Sequence, residues 1–238
     1  VTWLGGERRA LASCGSTNDV ALAWAKDGAP HGALVTADTQ TAGRGRHGRV
    51  WASPPGRNLY ASMVVRVGRT FAIPPLTLAI GVGLCDAIRG EGVAQAGLKW
   101  PNDVLVGGKK LAGVLCESVG DAVVVGLGVN TNGAAVELPP EVAARATTIS
   151  DQLGRWVDRD AFLARLLADL APWIDRYLEL GVAAIAPAWQ ARMLDRLTVR
   201  TDRASGRAIG LDADGALRVE DEHGVVHRVV SGEVEHLA

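Results

Sequence analysis

Cysteine, aromatic residues and long apolar runs are all scarce in this chain. Its 238 residues hold three cysteines, two phenylalanines, two tyrosines and two methionines. Cys14, Cys85 and Cys116 are odd in number and lack a CxxC spacing, which excludes a disulfide framework and fits the reducing cytoplasm. No signal-like apolar segment opens the sequence. No run reaches the ~18 to 20 apolar residues of a membrane span; the longest, over 76–88, is broken by glycines and Asp86. The five histidines show no ligand spacing, and His223 and His227 flank Gly224 in a turn-like stretch, so no structural metal is expected. A formal charge of −1 and a pI near 6.6 exclude a protein whose whole surface binds nucleic acid.

Acid is also missing from one long stretch. Between Thr39 and Cys85 there is no Asp or Glu, while Arg44, Arg46, Arg49, Arg57, Arg66 and Arg69 all fall inside it, so the positive charge is local and implies a local anionic ligand. The densest part reads Thr39-Gln40-Thr41-Ala42-Gly43-Arg44-Gly45-Arg46-His47-Gly48-Arg49-Val50-Trp51. Its glycines allow positive φ and close backbone approach, and each guanidinium offers a planar fork of donors suited to phosphate or carboxylate. Gly43 to Gly48 also spells GxGxxG, but a dinucleotide-binding turn needs a helix directly after it and an acid about 20 positions on. Ser53-Pro54-Pro55-Gly56 forbids the helix, and the acid is absent. A repetitive, disordered Arg-Gly tail is a poor match to a single copy between two apolar runs. The plain alternative to a lid that closes over an anion is a solvated basic loop.

Ser16-Thr17-Asn18 stands ahead of Val20, Ala21, Leu22 and Trp24, with Gly28 as the stop. This predicts an N-capped helix over 18–27 with its capping hydroxyls exposed at the helix start. Strands are expected at 33–38 and 59–67, so that the arginine loop joins two strands, and 74–88 reads as a buried helix with proline in its first turn. Residues 98–100, 104–106, 110–117 and 122–129 are β-rich, with Gly107-Gly108 where a tight hairpin turn belongs. Leu163, Leu166, Leu167, Leu170, Ile174 and Tyr177 recur at helical spacing over 160–180; Pro172 is expected to kink or split that helix, and a last helix falls near 182–192. From about Leu197 short strands are punctuated by Ser205-Gly206, Asp214-Gly215 and His223-Gly224, the marks of hairpins. The fold class is therefore α+β: a mostly antiparallel sheet with helices on one face over 1–193, and a small C-terminal β-barrel over 194–238.

Five blocks stand in register: Ser16-Thr17-Asn18, the loop from Gly43 to Trp51, Lys99-Trp-Pro-Asn-Asp103, Lys109-Lys-Leu-Ala-Gly113 and Gly126-Leu-Gly-Val-Asn130. In order and spacing they resemble the biotin protein ligases, over essentially the whole chain. The resemblance implies a class II synthetase-like catalytic domain with an SH3-like C-terminal barrel. It also implies a two-step reaction: biotin and ATP, with Mg²⁺, give biotinyl-5′-AMP and pyrophosphate, and the biotinyl group then passes to one lysine of a biotin carboxyl carrier protein. No winged-helix segment precedes the catalytic part, so neither DNA nor a membrane is an expected partner, while a homodimer stays open. The C-terminal module departs from the pattern at its start, where Leu197 to Arg200 lead almost at once into the Ser205-Gly206 turn.

The chemistry accounts for the residue types. Biotin joins an arm of four methylenes, about 0.8 kcal/mol each when buried, to a ureido ring that must be hydrogen-bonded wherever it is desolvated. Ser16, Thr17 and Gln40 are the polar partners read from the sequence; the resemblance adds Asn18, places Gly43, Arg44, Gly45 and Arg46 around biotin, and has Gly113 leave room for the ring. Adenylation brings a carboxylate against the α-phosphate, and positive groups must lie between the two anions. Lys110, Arg44 and Arg46 are the expected catalytic residues, Lys110 on both anions and the arginines folded over the adenylate to exclude water, with Lys109 the solvated neighbour. Arg46, Arg49, Trp51, Asn102, Lys110 and Asn130 are expected on ATP, Trp51 stacked on adenine or else a core tryptophan. Asn102, Asp103 and Asn130 offer the oxygens Mg²⁺ prefers, although Pro101-Asn102-Asp103 also reads as a turn chosen for its backbone. The rival functions are a lipoate ligase or octanoyltransferase of the same fold, and a nucleic-acid-binding module.

Overall fold

The computed structural model describes residues 3–67, 73–194, 198–200, 204–231 and 234–237; Arg69 and Leu197 lie outside them. The first unit runs β1 (Arg8–Cys14), α1 (Thr17–Lys26), β2 (Leu34–Gln40), β3 (Leu59–Arg66), α2 (Ile73–Gly90), β4 (Gly97–Lys99), β5 (Asp103–Val106), β6 (Lys109–Val119) and β7 (Ala122–Val129). Then come α3 (Pro140–Ala143), α4 (Ile149–Leu153), α5 (Arg159–Leu180) and α6 (Ala186–Gln190). Strands β8 (Thr198–Arg200), β9 (Ser205–Leu211), β10 (Leu217–Glu220), β11 (Val226–Val229) and β12 (Glu235–Leu237) end the chain.

The seven-stranded sheet has the order β1-β2-β3-β7-β6-β5-β4. Only β1 and β2 pair in parallel, and α1 supplies the crossover that a parallel pair requires. From β3 the chain crosses through α2 to the far edge and returns by hairpins, so that β7 closes against β3. The turn at Gly107-Gly108, with φ of 55° and 76°, is the glycine hairpin the sequence predicts. This path brings the loop between β2 and β3, the start of α1, and β6 to the middle of one sheet.

β3 and β7 are apolar nearly throughout because both of their faces are covered. Met63, Val65, Val123, Val125 and Leu127 enter the main core with α2 and α5, whereas Val64 and Val124 join a smaller cluster with Ala21, Trp24 and Ala25 of α1. The expected placement of helices on one face thus holds for α2 and α5, and α1 packs on the other. Pro74 and Pro75 sit in the first turn of α2, where an amide donor has no helical partner to lose. α5 is one helix with Pro172 inside it, capped by Asp158, whose carboxylate accepts from the amides of Asp160 and Ala161 at 2.9 and 3.1 Å. The expected split does not occur: Leu163, Leu166, Leu167 and Leu170 before the proline and Ile174 and Tyr177 after it are buried in the same core. At Gly83 a Cβ would lie 2.9 Å from the Asp169 carbonyl, so glycine sets how closely α2 and α5 approach.

The C-terminal strands form a five-stranded antiparallel sheet ordered β11-β10-β9-β8-β12. Asp214-Gly215 and His223-Gly224 are turns, with φ of 87° and 77° at the glycines. Ser205-Gly206 is not: it pairs within β9, opposite Arg200 and Val199, and the glycine is needed because a Cβ would strike the Glu220 carbonyl. This sheet shares the main core through Val199, Leu217, Val219 and Val229, and the Trp100 indole donates to the Gly215 carbonyl at 3.1 Å.

One polar knot ties the main core together. Asp86 of α2 accepts from Arg192 Nε at 2.6 Å and Nη2 at 3.0 Å, and from the Trp173 indole at 3.1 Å. Removing the carboxylate leaves a partly buried guanidinium and an indole without their acceptor. Asp86→Ala is expected to lower stability by about 2–3 kcal/mol, read as a fall in urea midpoint at unchanged slope; an unchanged midpoint would show the knot to be idle.

Candidate functional site

Three glycines shape one face of the sheet. Side chains alternate along a strand, and the register pairs Ser62 with Gly126, Tyr60 with Gly128, Gly128 with Gly113, and Glu117 with Val124. Tyr60, Ser62, Gly113, Leu115, Glu117, Gly126 and Gly128 therefore share the face on which α1 packs. A Cβ at Gly126 would collide with the Asn18 carboxamide, and one at Gly128 with the Trp51 indole; at Gly113 it would lie 3.0 Å from Lys110 Nζ. Bare backbone seats three of the side chains singled out in the sequence. The room at Gly113 is occupied by the Lys110 side chain and Asp103.

Ser16, Thr17 and Asn18 are only 3–4% exposed, which overturns the expectation of exposed capping hydroxyls. Ser16 stands at the N-cap with extended backbone, but its hydroxyl makes no capping bond. The Gln40 carboxamide caps instead, accepting from Thr17 N at 2.8 Å and Thr17 Oγ1 at 3.1 Å, because the end of β2 lies against the start of α1. Gln40 Nε2 donates to Ser53 Oγ at 3.1 Å, and Ser53 Oγ to the Trp51 carbonyl at 3.0 Å. On the other side Ser62 Oγ lies 2.7 Å from Thr17 Oγ1 and 2.6 Å from Asn18 Oδ1. Asn18 Nδ2 donates to Glu117 Oε2 at 2.6 Å, and Arg44 Nη2 reaches the same oxygen at 3.3 Å. A chain of hydrogen bonds thus leaves one limb of the arginine loop at Arg44, crosses the buried floor and rejoins the other limb at Trp51.

The loop itself is a short hairpin. Trp51 N donates to Gly43 O at 2.9 Å and Gly45 N to Arg49 O at 2.7 Å, with a bridge between Arg44 and Val50. Positive φ occurs at His47 (56°) and Gly48 (71°), not at Gly43 or Gly45. Gly43 is required by space, since a Cβ would lie 2.7 Å from Ser53 Oγ. Its tip is in solvent: Arg49 is exposed and Val50 is 85% exposed.

The stretch without acids borrows them from elsewhere. Arg44 Nη1 donates to Asp19 Oδ2 at 2.6 Å, and this bond, ahead of the charges of Asp19 and Glu117, holds the guanidinium pKa above its ordinary value. Arg46 Nη1 donates to Asn102 Oδ1 at 3.2 Å. Lys110 Nζ sits 2.7 Å from Asp103 Oδ1 and 5.3 Å from the Trp51 ring centroid. The Asp103 contact is an ion pair by distance, while its angles are not those of a hydrogen bond, so that oxygen is buried with no hydrogen-bond partner. The Trp51 indole nitrogen is likewise buried without an acceptor. Arg57 pairs with Glu137, and Arg66 with Asp121.

Among the described residues no group of three His, Cys, Asp or Glu converges as a metal site. Of the three oxygens expected on Mg²⁺, those of Asn102 and Asp103 already face Arg46 and Lys110. Asn130 is 5% exposed, and its Nδ2 donates to the carbonyls of Lys110 and Thr147 at 3.4 and 3.2 Å. Asn130 therefore holds the backbone behind Lys110. Sequence reading missed Glu117, Ser62, Ser53 and Asp19. Two signals were available: Glu117 stands at i+4 from Gly113 along a strand, hence on its face, and Ser62 is a polar residue inside an apolar strand. A cavity of about 340 Å³ lined by Pro54, Arg57, Asn132, Glu137 and Thr148 contains none of the site residues; convergent polar groups, not depth, mark the site.

Residues 11–130 match the biotin/lipoate A/B protein ligase family, and residues 196–237 the biotin protein ligase C-terminal domain. The chain is 38% identical over 221 residues to a biotin–[acetyl-CoA-carboxylase] ligase of Paracoccus denitrificans, covering 87% of this chain and 91% of the relative. It is 36% identical to the enzyme of that name from Mycobacterium tuberculosis, covering 95% and 88%. The structure superposes on a biotin protein ligase from Aquifex aeolicus in complex with biotin and ATP with a TM-score of 0.85, at 29% identity over 97% and 98% of the two chains.

The glycine floor is open to a direct test. Gly126→Ala pushes a methyl into the Asn18 carboxamide, and overpacking of this kind costs about 1–3 kcal/mol. The expected result is a lower urea midpoint at unchanged slope; parental stability would mean that Asn18 is not seated on β7.

Proposed function

The chain belongs to the biotin/lipoate A/B protein ligase family, in its biotin protein ligase branch, and from that premise we propose the residue roles by which it activates biotin with ATP and passes the biotinyl group to a carrier lysine. Residues 1–193 carry the chemistry in this reading and 194–238 form the C-terminal module. The carrier is a biotin carboxyl carrier protein, and the three free cysteines suit the reducing cytoplasm as its place of work.

The observation that carries the choice of biotin is the polar floor of buried Thr17, Asn18 and Ser62, with half-buried Gln40 at its edge. A urea brings two N–H donors and a carbonyl acceptor to such a surface. The dithiolane of lipoate and the alkyl chain of octanoate bring neither, and would bury the floor with nothing to bond. The valerate arm then runs toward Lys110, placing its carboxylate beside the ammonium. Two unit charges of like sign 4 Å apart repel by about 4 kcal/mol at an effective dielectric of 20, which is roughly a thousandfold in rate. Lys110, supported by Arg46, lies between carboxylate and α-phosphate and removes that barrier. The carboxylate oxygen forms the new bond to the α-phosphorus as the bond to the β-phosphate oxygen breaks, and pyrophosphate departs with the electron pair. Trp51, lying against Gly128, offers adenine a stacking surface. Gly43, Gly45, Arg44 and Arg49 keep the mixed anhydride from water until the carrier amine attacks the acyl carbon and AMP leaves.

One carboxylate, Asp103, and one amide oxygen, that of Asn102, fit a cation that arrives on the triphosphate better than a resident ion, since Mg²⁺ takes one or two carboxylates plus phosphate oxygens and water. Bound with ATP, it would shield the phosphate charge. Asp103 and Asn102 would hold it, once Lys110 and Arg46 turn to the substrates.

Biotin-dependent ATP–pyrophosphate exchange, repeated with lipoate and octanoate, tests this reading. Because a site built for hydrogen bonds rejects a ligand that lacks them, biotin is expected to exceed the other acids by at least about a hundredfold in kcat/KM; equal or better exchange with lipoate would overturn it. Lys110→Ala is expected to reduce exchange by at least about tenfold, the equivalent of one charge-assisted contact, while circular dichroism shows an intact fold. Full exchange in the folded variant would move the role to Lys99 or Lys109.

A further inference from the structure

We infer that Glu117, outside all five sequence blocks, is a positioning residue that sets the direction of the hydrogen bonds under biotin and links that floor to the arginine loop. The inference rests on the biotin-ligase reading of the site. An ionised carboxylate can only accept. Its Oε2 lies 2.6 Å from one end of the Asn18 carboxamide, which must therefore be the NH₂ end. The Leu115 carbonyl, 3.3 Å from the same nitrogen, enforces the same choice. Asn18 Oδ1 is then turned toward Ser62, where it can only accept, and the Ser62 proton is called to it at 2.6 Å. Thr17 Oγ1 gives its own proton to Gln40 and so also accepts from Ser62. One proton serves two acceptors, so the floor is short of one donor, and a ureido N–H is the group that supplies it. The directions at Asn18 and from Ser62 to Asn18 follow from the acceptors facing the Asn18 amide, the nearer and charged one being Glu117, while the Thr17 backbone N–H on the Gln40 oxygen sets the direction from Thr17 to Gln40.

The same oxygen is the inner anchor of the loop. The Arg44 fork divides between two acids, Nη2 on Glu117 and Nη1 on Asp19. Asp19 is 53% exposed at its side chain and holds Arg44 from outside, with no bond to Asn18 or Ser62 among those of the described residues. Glu117 is 32% exposed and touches both the floor and the loop. Asn18 lies directly against the Gly126 backbone, which closes the side toward the sheet to it.

Glu117→Gln tests this with almost no change of shape. Glutamine can donate as well as accept, so the Asn18 orientation is left to the more distant Leu115 carbonyl alone, and Arg44 loses its charged inner partner. The expected result is a rise of about tenfold in the KM for biotin, the size of one such bond, with the KM for ATP and the urea midpoint within twofold and a few tenths of a molar of the parent. Asp19→Asn, which removes only the outer partner of Arg44, is expected to change the biotin KM by less than about twofold. Ser62→Ala and Glu117→Gln share one chain without touching, so the double variant is expected to be little worse than either alone. Glu117→Asp keeps the charge on a shorter arm and serves if the glutamine variant fails to fold; its expected biotin KM lies between the other two. A parental biotin KM in Glu117→Gln, an equal rise in Asp19→Asn, or fully multiplicative effects with Ser62→Ala would each overturn the inference. If the parent protein itself showed no biotin-dependent exchange, the biotin-ligase reading would fail instead.

Discussion

Close approach to the bare backbone of β7 is the constraint on which the site depends. Asn18 comes from the first turn of α1 and Trp51 from the far limb of the arginine loop, and each can lie against the sheet only because Gly126 and Gly128 carry no side chain. Alternation then makes the arrangement economical: Leu127 and Val129, between and after the glycines, point into the core and hold the strand where two glycines would otherwise leave it weak. The strand is rigid on one face and vacant on the other. A flat, hydrogen-bonded floor with a tryptophan at its edge is what results.

The two faces of the sheet divide the labour. α2, buried along nearly its whole length, and α5 supply the packing that makes the platform stiff, and Asp86 ties them to Arg192 beyond α6. α1 on the opposite face is short and contributes polar groups from its first turn. Because Gln40 caps that turn, the start of the helix is fixed by the strand that leads into the arginine loop. Loop, helix and floor therefore share their supports, and a disturbance at one is felt at the others.

Much of this was legible in the residues, and the exceptions have physical reasons. Apolar runs and glycine turns located six of the seven strands of the large sheet to within a residue or two, whereas β1 (Arg8–Cys14), an edge strand with polar and exposed residues, was not anticipated; the five blocks named most side chains that gather at the site. Ser205-Gly206 was misread because glycine serves both turns and tight backbone contacts, and only the partner strand tells which. Positive φ was expected of the loop glycines and is found at Gly48, but Gly43 is there for space and His47 takes the left-handed conformation beside Gly48. Pro172 looked like a break but is overruled by burial on both sides. Least legible were the partners of Arg44: Asp19 and Glu117 lie 25 and 73 positions away, and no local pattern connects them. A stretch without acids is not a stretch without counter-charge.

That last point changes what binding means at this site. Arg44 and Lys110 rest on carboxylates of the protein's own, and Arg46 rests on an amide oxygen. The folded chain thus carries a dense cluster of cations without the self-repulsion that would open it. On the proposed residue roles, a substrate carboxylate or phosphate would not fill an electrical void; at Arg44 and Lys110 it would exchange one anion for another, and the gain would be the difference between two pairings. Such a site is a poor general trap for anions. Selectivity here begins in the resting state, in the acids that compete for the arginines before any substrate arrives.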